Sequence, residues 1–146
     1  MKLFSYTLNH DDGAAPNPFW GICSLAIRKP AIRISAEIDD WIVGLGSVKS
    51  PSGDISDHVV YAMKVTSKMR LKEYDQFCKT FVPKKKPDWR NLDYRMRMGD
   101  CIYNFISPEN ISMRTGIHKE ENKEKDLSGL YALVSKQFYY FGSQPV

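Results

Sequence analysis

The front half of the chain constrains the fold most, because a rigid proline turn there is followed by two short apolar segments. Pro16 and Pro18 fix their own φ angles and push the residues before them toward extended backbone. The apolar segments Trp41–Leu45 and His58–Thr66 flank the turn-forming cluster Ser50–Asp54. This order predicts two antiparallel strands in a small β-rich fold whose loops form a ligand-facing rim.

The rest of the chain adds short segments of both kinds. The helical spacing of apolar side chains between Leu71 and Cys78 predicts an amphipathic helix over Met69–Cys78. We expect further strands at Leu3–Leu8, Ile22–Ile27, Asp100–Ile106, Leu130–Ser135 and Phe138–Gly142, a short helix at Pro30–Ala36, irregular backbone at Val82–Met98 and a polar insertion at Lys119–Asp126. Five to seven strands with one or two helices predict an α+β domain around a small curved sheet or partly closed β-barrel.

The length and hydropathy of the chain fit one domain. The chain has 146 residues, of which 42% are hydrophobic, and ordinary domains have about 100–150 residues. We therefore expect a single domain over residues 1–146. The first residues lack the apolar run of a signal peptide, and no stretch approaches the roughly 18 apolar residues of a membrane span. These features predict a cytoplasmic protein without a membrane partner.

The cysteines and histidines indicate neither a disulfide framework nor a metal centre. Cys23, Cys78 and Cys101 are odd in number and lie far apart, so we expect buried free thiols. The best metal candidate is the turn His10–Asp12, but an exposed strand-breaking turn explains the same residues more often. The sequence therefore predicts no metal and no cofactor.

Positive charge is concentrated in one part of the chain. The net charge is +4, yet residues 68–97 hold ten Lys or Arg against four acids, so the rest is net negative by two. Such a stripe attracts phosphate backbones, although a solvated loop explains the run Lys84–Lys86 equally well. The residues predicted to contact phosphate are Lys29, Lys84, Lys85, Lys86 and Arg95.

The proline turn presents one amide and two aromatic side chains. A rigid loop can hold Asn17 for recognition of a base edge, and Phe19 or Trp20 as a stacking face worth roughly 1–3 kcal/mol per base. The alternative is that Phe19 and Trp20 cover one end of the core. Packing does not require the Asn17 amide, so we predict a binding role for it.

A second candidate binding feature is the turn after the Trp41 segment. Gly44 and Gly46 can adopt positive φ angles, which would turn backbone N–H groups, with Ser47, toward one anion. A β-bulge or a tight turn explains the same glycines. The spacing of a P-loop or a dinucleotide fold is absent, so ATP hydrolysis and NAD chemistry have little support.

Aromatic side chains suggest a third binding feature. Alternation along the last strand puts Phe138 and Tyr140 on one side and leaves Tyr139 on the other, facing a groove. Tyr139 with Trp20, Trp41 and Tyr61 could then form an aromatic cage. The alternative is that these rings belong to the core, as most aromatic residues of small domains do.

Several spaced motifs together resemble a known family. They are Pro16-Asn17-Pro18-Phe19-Trp20-Gly21, Lys29-Pro30-x-Ile32-Arg33, Asp40-Trp41-Ile42-Val43-Gly44-x-Gly46-Ser47, Val60-Tyr61-Ala62-Met63 and Phe138-Tyr139-Tyr140-Phe141-Gly142. From Met1 to Gly142 the chain resembles the nucleotide modification associated domain 2 family. The resemblance implies an association with phage and bacterial systems for nucleotide modification or defence.

The strand, the Asp-Trp turn and the next strand are also similar to the PUA-like superfamily, including EVE and ASCH domains. That similarity implies a small barrel whose cleft binds RNA or modified bases. Related patterns place glycine before the Asp-Trp pair, whereas this chain has Asp39, so a different turn is expected there.

Three functional hypotheses follow. The leading one is a binding module for a modified or flipped-out base or a free nucleotide, because an aromatic pocket can recover the few kcal/mol lost on unstacking a base. The second is a nucleotide-modifying enzyme with Asp40, His58 or Asp100 as general base. The third is a phage-encoded module that sequesters a defence signal or a protein partner.

Overall fold

The computed structural model describes residues 1–146, which form nine strands and four α-helices. The strands are β1 (Leu3–Thr7), β2 (Cys23–Leu25), β3 (Trp41–Leu45), β4 (Val59–Lys64), β5 (Ser67–Arg70), β6 (Tyr103–Ser107), β7 (Asn110–Met113), β8 (Tyr131–Ser135) and β9 (Gln137–Tyr140). The helices are α1 (Pro30–Ser35), α2 (Leu71–Phe81), α3 (Tyr94–Arg97) and α4 (Glu120–Ser128), with a 3-10 turn over Pro83–Lys85.

The strands form three small sheets and no closed barrel. The largest has the order β1-β3-β4-β9, the second has the order β2-β8-β5, and β6 and β7 form a hairpin. β1 is parallel to β3, whereas β3 and β4 pair antiparallel, as the sequence predicts. The predicted α+β class is confirmed, although the chain has more helices than the one or two expected.

Two predicted segments differ from the structure in their secondary structure. α2 begins at Leu71 instead of Met69, since Ser67–Arg70 pairs with β8 as a strand. The polar insertion predicted at Lys119–Asp126 is mostly helix α4, and among its residues only Asp126 is buried. The turn before β3 has left-handed backbone at Asp39, whose φ is +76°.

The interior consists of two clusters. The larger lies between the main sheet and the second sheet, and includes Ile42, Met63 and Leu133 together with Cys23. The smaller packs beneath α2 and contains Cys78 and Cys101. All three cysteines are free and buried, as predicted, and burial raises the pKa of Cys23 to about 12.

A buried arginine joins α1 to α4 and β8. Arg33 is fully buried and donates hydrogen bonds to the carbonyls of Arg28, Asp126 and Tyr131 at 2.6, 2.7 and 3.1 Å. Burial lowers the Arg33 pKa to about 10. Gly129 makes room for it, because a Cβ there would lie 2.3 Å from the guanidinium carbon.

The four helices are short, and none has the length and apolar surface that a membrane span requires.

Candidate functional site

A cavity of about 430 Å³ opens where the turn after β1 meets the C-terminal tail. Its walls are the turn residues 9–11, the loop residues 50–52, Tyr94 of α3, and residues 140–143. We call this cavity the main chamber. Its volume lies in the range of about 300–1,000 Å³ that small-molecule sites occupy.

A second cavity of about 250 Å³ shares Leu8, Asn9 and His10 with the main chamber. We call it the side chamber. The two chambers differ in charge, because Asp11 is the one charged residue that lines the main chamber, whereas Arg28, Lys29 and the Asp12 partner of Arg28 line the side chamber. The pair therefore forms one groove with an acidic, hydroxyl-lined part and a basic part.

The carboxylate of Asp11 is held in place in the main chamber. The Tyr140 hydroxyl donates to Asp11 Oδ2 at 2.5 Å, and the Gly13 N–H donates to Oδ1 at 3.2 Å. Burial and the adjacent carboxylate both raise the Tyr140 pKa, so this hydroxyl keeps its proton. Asp11 therefore lines the chamber as an acceptor with a fixed orientation.

A chain of polar groups supports the side chamber. Arg28 forms a two-pronged ion pair with Asp12 at 3.0 and 2.7 Å, and its Nε donates to His118 Nε2 at 3.2 Å. His118 Nδ1 lies 2.5 Å from Asp126 Oδ2. Burial alone would raise the pKa of Asp12, but the hydrogen bonds and charge of Arg28 outweigh it and lower that pKa. The Arg28 guanidinium is thus fixed between two partners.

The backbone beside this chain is strained. Arg28 and Lys29 both adopt left-handed backbone, with φ of +61° and +43°. For residues other than glycine this conformation costs about 1–3 kcal/mol each, and such strain is enriched at functional sites. The bend sets the Lys29 ammonium 4.7 Å from the centre of the Tyr6 ring, at the side chamber.

A cation–aromatic cluster adjoins the main chamber. The Lys84 ammonium and the Arg95 guanidinium lie 4.7 and 4.8 Å from the Trp20 ring centre. Helix α3 connects this cluster to the chamber, because it carries Arg95 next to Tyr94, whose hydroxyl donates to the Asp12 carbonyl. Phe19 packs edge-on against Trp20, with ring centres 6.5 Å apart. Four predicted site residues are therefore brought together.

Asn17 and Lys85 lie in the interior, where neither faces a ligand. Both are fully buried. The Lys85 ammonium contacts Asn17 O, Asn17 Oδ1, Ile22 O and Ser24 Oγ at 2.7–3.0 Å. Asn17 Nδ2 donates to the Met98 carbonyl at 3.0 Å. This position does not fit the predicted base-edge and phosphate contacts, because both side chains are hydrogen-bonded to groups inside the core.

The glycine turn does not form the expected nest. Neither Gly44 nor Gly46 has a positive φ. A Cβ at Gly44 would lie 2.4 Å from the Tyr61 ring, and one at Gly46 would lie 2.2 Å from the Ile55 carbonyl. Both glycines therefore allow close packing. Ser47 contacts the groove indirectly, because its hydroxyl donates to Asn9 Oδ1 at 3.2 Å.

The four aromatic residues of the expected cage lie apart. Strand pairing puts Tyr61 opposite Gly44 on the inner face, where its hydroxyl lies 2.8 Å from the Tyr6 hydroxyl. Trp41 and Tyr139 alternate to the outer face, and Trp20 belongs to the cation–aromatic cluster. The remaining predicted phosphate contact, Lys86, is half-buried beside the 3-10 turn.

The general bases proposed for an enzyme lie outside the groove. Asp40 accepts hydrogen bonds from the backbone N–H groups of Lys2 and Glu37, both at 2.8 Å. Asp100 is buried against Ser24 and Tyr74, and His58 lines neither chamber. No group of three or more His, Cys, Asp or Glu side chains is arranged to hold a metal ion.

Sequence reasoning missed several residues of the groove. Tyr94 carried no signal, because it falls in a segment expected to be irregular. Arg28 and His118 are ninety positions apart, so no local motif links them. The sequence indicates the turn His10–Asp12 only as a metal candidate, whereas alternation along β9 correctly predicts that Tyr140 lies on the side opposite Tyr139.

Comparisons with known proteins bear on the whole chain. The protein-family model described as nucleotide modification associated domain 2 matches residues 1–146. Neither the curated proteins nor the solved structures contain a match. Because the family match spans every residue that forms the groove and the cation–aromatic cluster, the chain belongs to the nucleotide modification associated domain 2 family.

Proposed function

We propose that this protein is a binding module that accepts a nucleotide, or an unpaired base of a nucleic-acid strand, in the groove. The observation that carries the proposal is the division of charge between the two chambers. A nucleotide complements this division, since its anionic phosphate suits the chamber with Lys29 and its neutral base suits the chamber without a cation. The base fits the main chamber, and the phosphate fits the side chamber near Lys29.

The cation–aromatic cluster extends the proposal to a strand. Lys84 and Arg95 can hold backbone phosphates, while Trp20 offers a stacking face to a neighbouring base. Tyr94 and Arg95 are adjacent on α3, so a strand with its base in the main chamber would pass the cluster. The family description links such domains to nucleotide modification, which makes modified bases ligands to test. Nucleotides of phage defence are added because the sequence resemblance implies that association.

The test is calorimetric titration with nucleoside 5′-monophosphates, carrying ordinary and modified bases, and with short single-stranded oligonucleotides at two salt concentrations. We expect Lys29→Met to weaken binding of the monophosphates. Lys84→Met and Arg95→Met should each reduce the salt dependence of oligonucleotide binding, by roughly one unit in the slope of log K against log salt.

The matched control is Lys125→Met, which removes an exposed lysine of α4 that lies outside the groove. If the protein binds neither monophosphates nor oligonucleotides, the proposal is overturned. Chromatography of the nucleotides after incubation addresses the enzyme hypothesis, because a binding module returns every ligand unchanged.

A further inference from the structure

The hydroxyl groups of two tyrosines in the main chamber already donate hydrogen bonds to acceptors within the protein. Tyr140 donates to the Asp11 carboxylate, and Tyr94 donates to the Asp12 carbonyl. A tyrosine hydroxyl has one proton, so each of these oxygens can only accept a further hydrogen bond. Burial raises the pKa of both groups, which keeps those protons in place.

The Asp11 carboxylate adds more acceptors to the same wall. Each of its oxygens receives one hydrogen bond from the protein and retains a lone pair. No lysine or arginine lines this chamber. Asn9, His10 and the serines can donate or accept, whereas Asp11, Tyr94 and Tyr140 can only accept. A ligand that uses these three acceptors must bring N–H or O–H donors.

We infer that the main chamber selects bases that carry an exocyclic amino group, with Asp11 as the specificity-determining residue. This inference rests on the proposed function. Guanine, adenine and cytosine have such a group, whereas uracil, thymine and hypoxanthine lack it. Guanine presents a ring N–H beside its amino group, and this pair of donors matches the two oxygens of a carboxylate.

Two pairs of ligands test the amino group. GMP differs from IMP by the amino group alone, whereas UMP has a carbonyl oxygen in place of the CMP amino group and also carries a ring N–H that CMP lacks. We expect the wild-type protein to bind GMP more tightly than IMP, and CMP more tightly than UMP, each by about tenfold or more. Calorimetry gives both ratios under one set of conditions.

Asp11→Asn replaces one acceptor oxygen by a donor and should bring both ratios close to one. Asp39→Asn is the matched control, because Asp39 is exposed, lies outside both chambers, and has a left-handed φ that asparagine tolerates. Tyr140→Phe provides a second variant if Asp11→Asn does not fold. It releases the carboxylate from its hydroxyl donor and should reduce both ratios.

The outcomes separate the inference from the proposed function. If the wild-type protein binds all four monophosphates with equal affinity, the inference is wrong and the proposed function stands. If Asp11→Asn folds and keeps the wild-type ratios, Asp11 does not determine specificity. If no monophosphate or oligonucleotide binds, the proposed function itself fails.

Discussion

Lys85→Met removes the one fully buried ammonium in a run of three lysines. Afterwards the Ile22 carbonyl has no donor, and Asn17 Oδ1 keeps only the Phe19 N–H at 3.3 Å. An unpaired buried acceptor costs about 1–3 kcal/mol, and removing one member of a buried charged network costs about 3–5 kcal/mol. Methionine fills a similar volume, so the cavity cost is small. We expect the free energy of unfolding to fall by about 3–5 kcal/mol, a large part of the usual 5–15 kcal/mol.

Urea denaturation followed by tryptophan fluorescence measures this loss, with Lys84→Met as the matched control. Lys84 is exposed and its substitution removes one contact with the Trp20 ring, so the free energy of unfolding should change by no more than about 1 kcal/mol. Equal stabilities for the two variants would refute the reasoning, because the large cost depends on the burial of Lys85 alone.

The pH dependence of the Lys85→Met effect gives a second check. Burial raises the pKa of Asp100, while the charge of Lys85 and hydrogen bonds from Ser24 and Tyr74 counteract that rise. Without Lys85 the pKa rises further, so ionised Asp100 destabilises the folded variant more than the wild type. That penalty disappears as pH falls through the raised folded pKa. The stability gap should therefore narrow as the pH is lowered from neutrality through the raised pKa of Asp100, and a gap that widened would contradict the account.

Two further substitutions test other buried groups. Gly129→Ala forces a Cβ against Arg33, and we expect the free energy of unfolding measured by urea denaturation to fall by about 1–3 kcal/mol. Gly116→Ala is the control and should cost less, because the nearest atom to its Cβ would be 3.2 Å away. Arg28→Lys breaks the two-pronged pair with Asp12 and should lower stability at neutral pH by about 1–3 kcal/mol. Because Arg28 lowers the Asp12 pKa, this contribution is present above about pH 4 and is lost as pH falls further, so the two proteins should converge in acid.

Local sequence pattern predicted those elements of the fold that carry their own signals. β3 is an apolar segment that ends in glycines, and α1 begins with a proline at its first position, so both appear where expected. β5 is polar and forms a strand only because it pairs with β8. Helix α4 has one buried residue, Asp126, whose partners His118 and Tyr103 belong to other segments. No local pattern encodes such pairings.

The candidate site was predictable only where charge and aromatic residues lie in recognisable runs. The sequence indicates Trp20, Lys84 and Arg95 separately, but only the folded chain shows that they meet. Within the run Lys84–Lys86 the three residues are chemically identical, so composition could not identify the one whose ammonium is buried. The Lys85 ammonium is buried where the carbonyl groups of Asn17 and Ile22 accept its hydrogen bonds, and these residues lie in and just after the proline turn, far earlier in the chain.

Because all three thiols are buried, the rate at which they are labelled measures how often the protein opens. A thiol reagent reacts only with an exposed thiolate, so labelling of the native protein waits for local or global unfolding. Cys23 belongs to the larger interior cluster, whereas Cys78 and Cys101 lie beneath α2. Faster labelling of Cys78 and Cys101 than of Cys23 would therefore show that α2 detaches without global unfolding, and this needs no introduced probe.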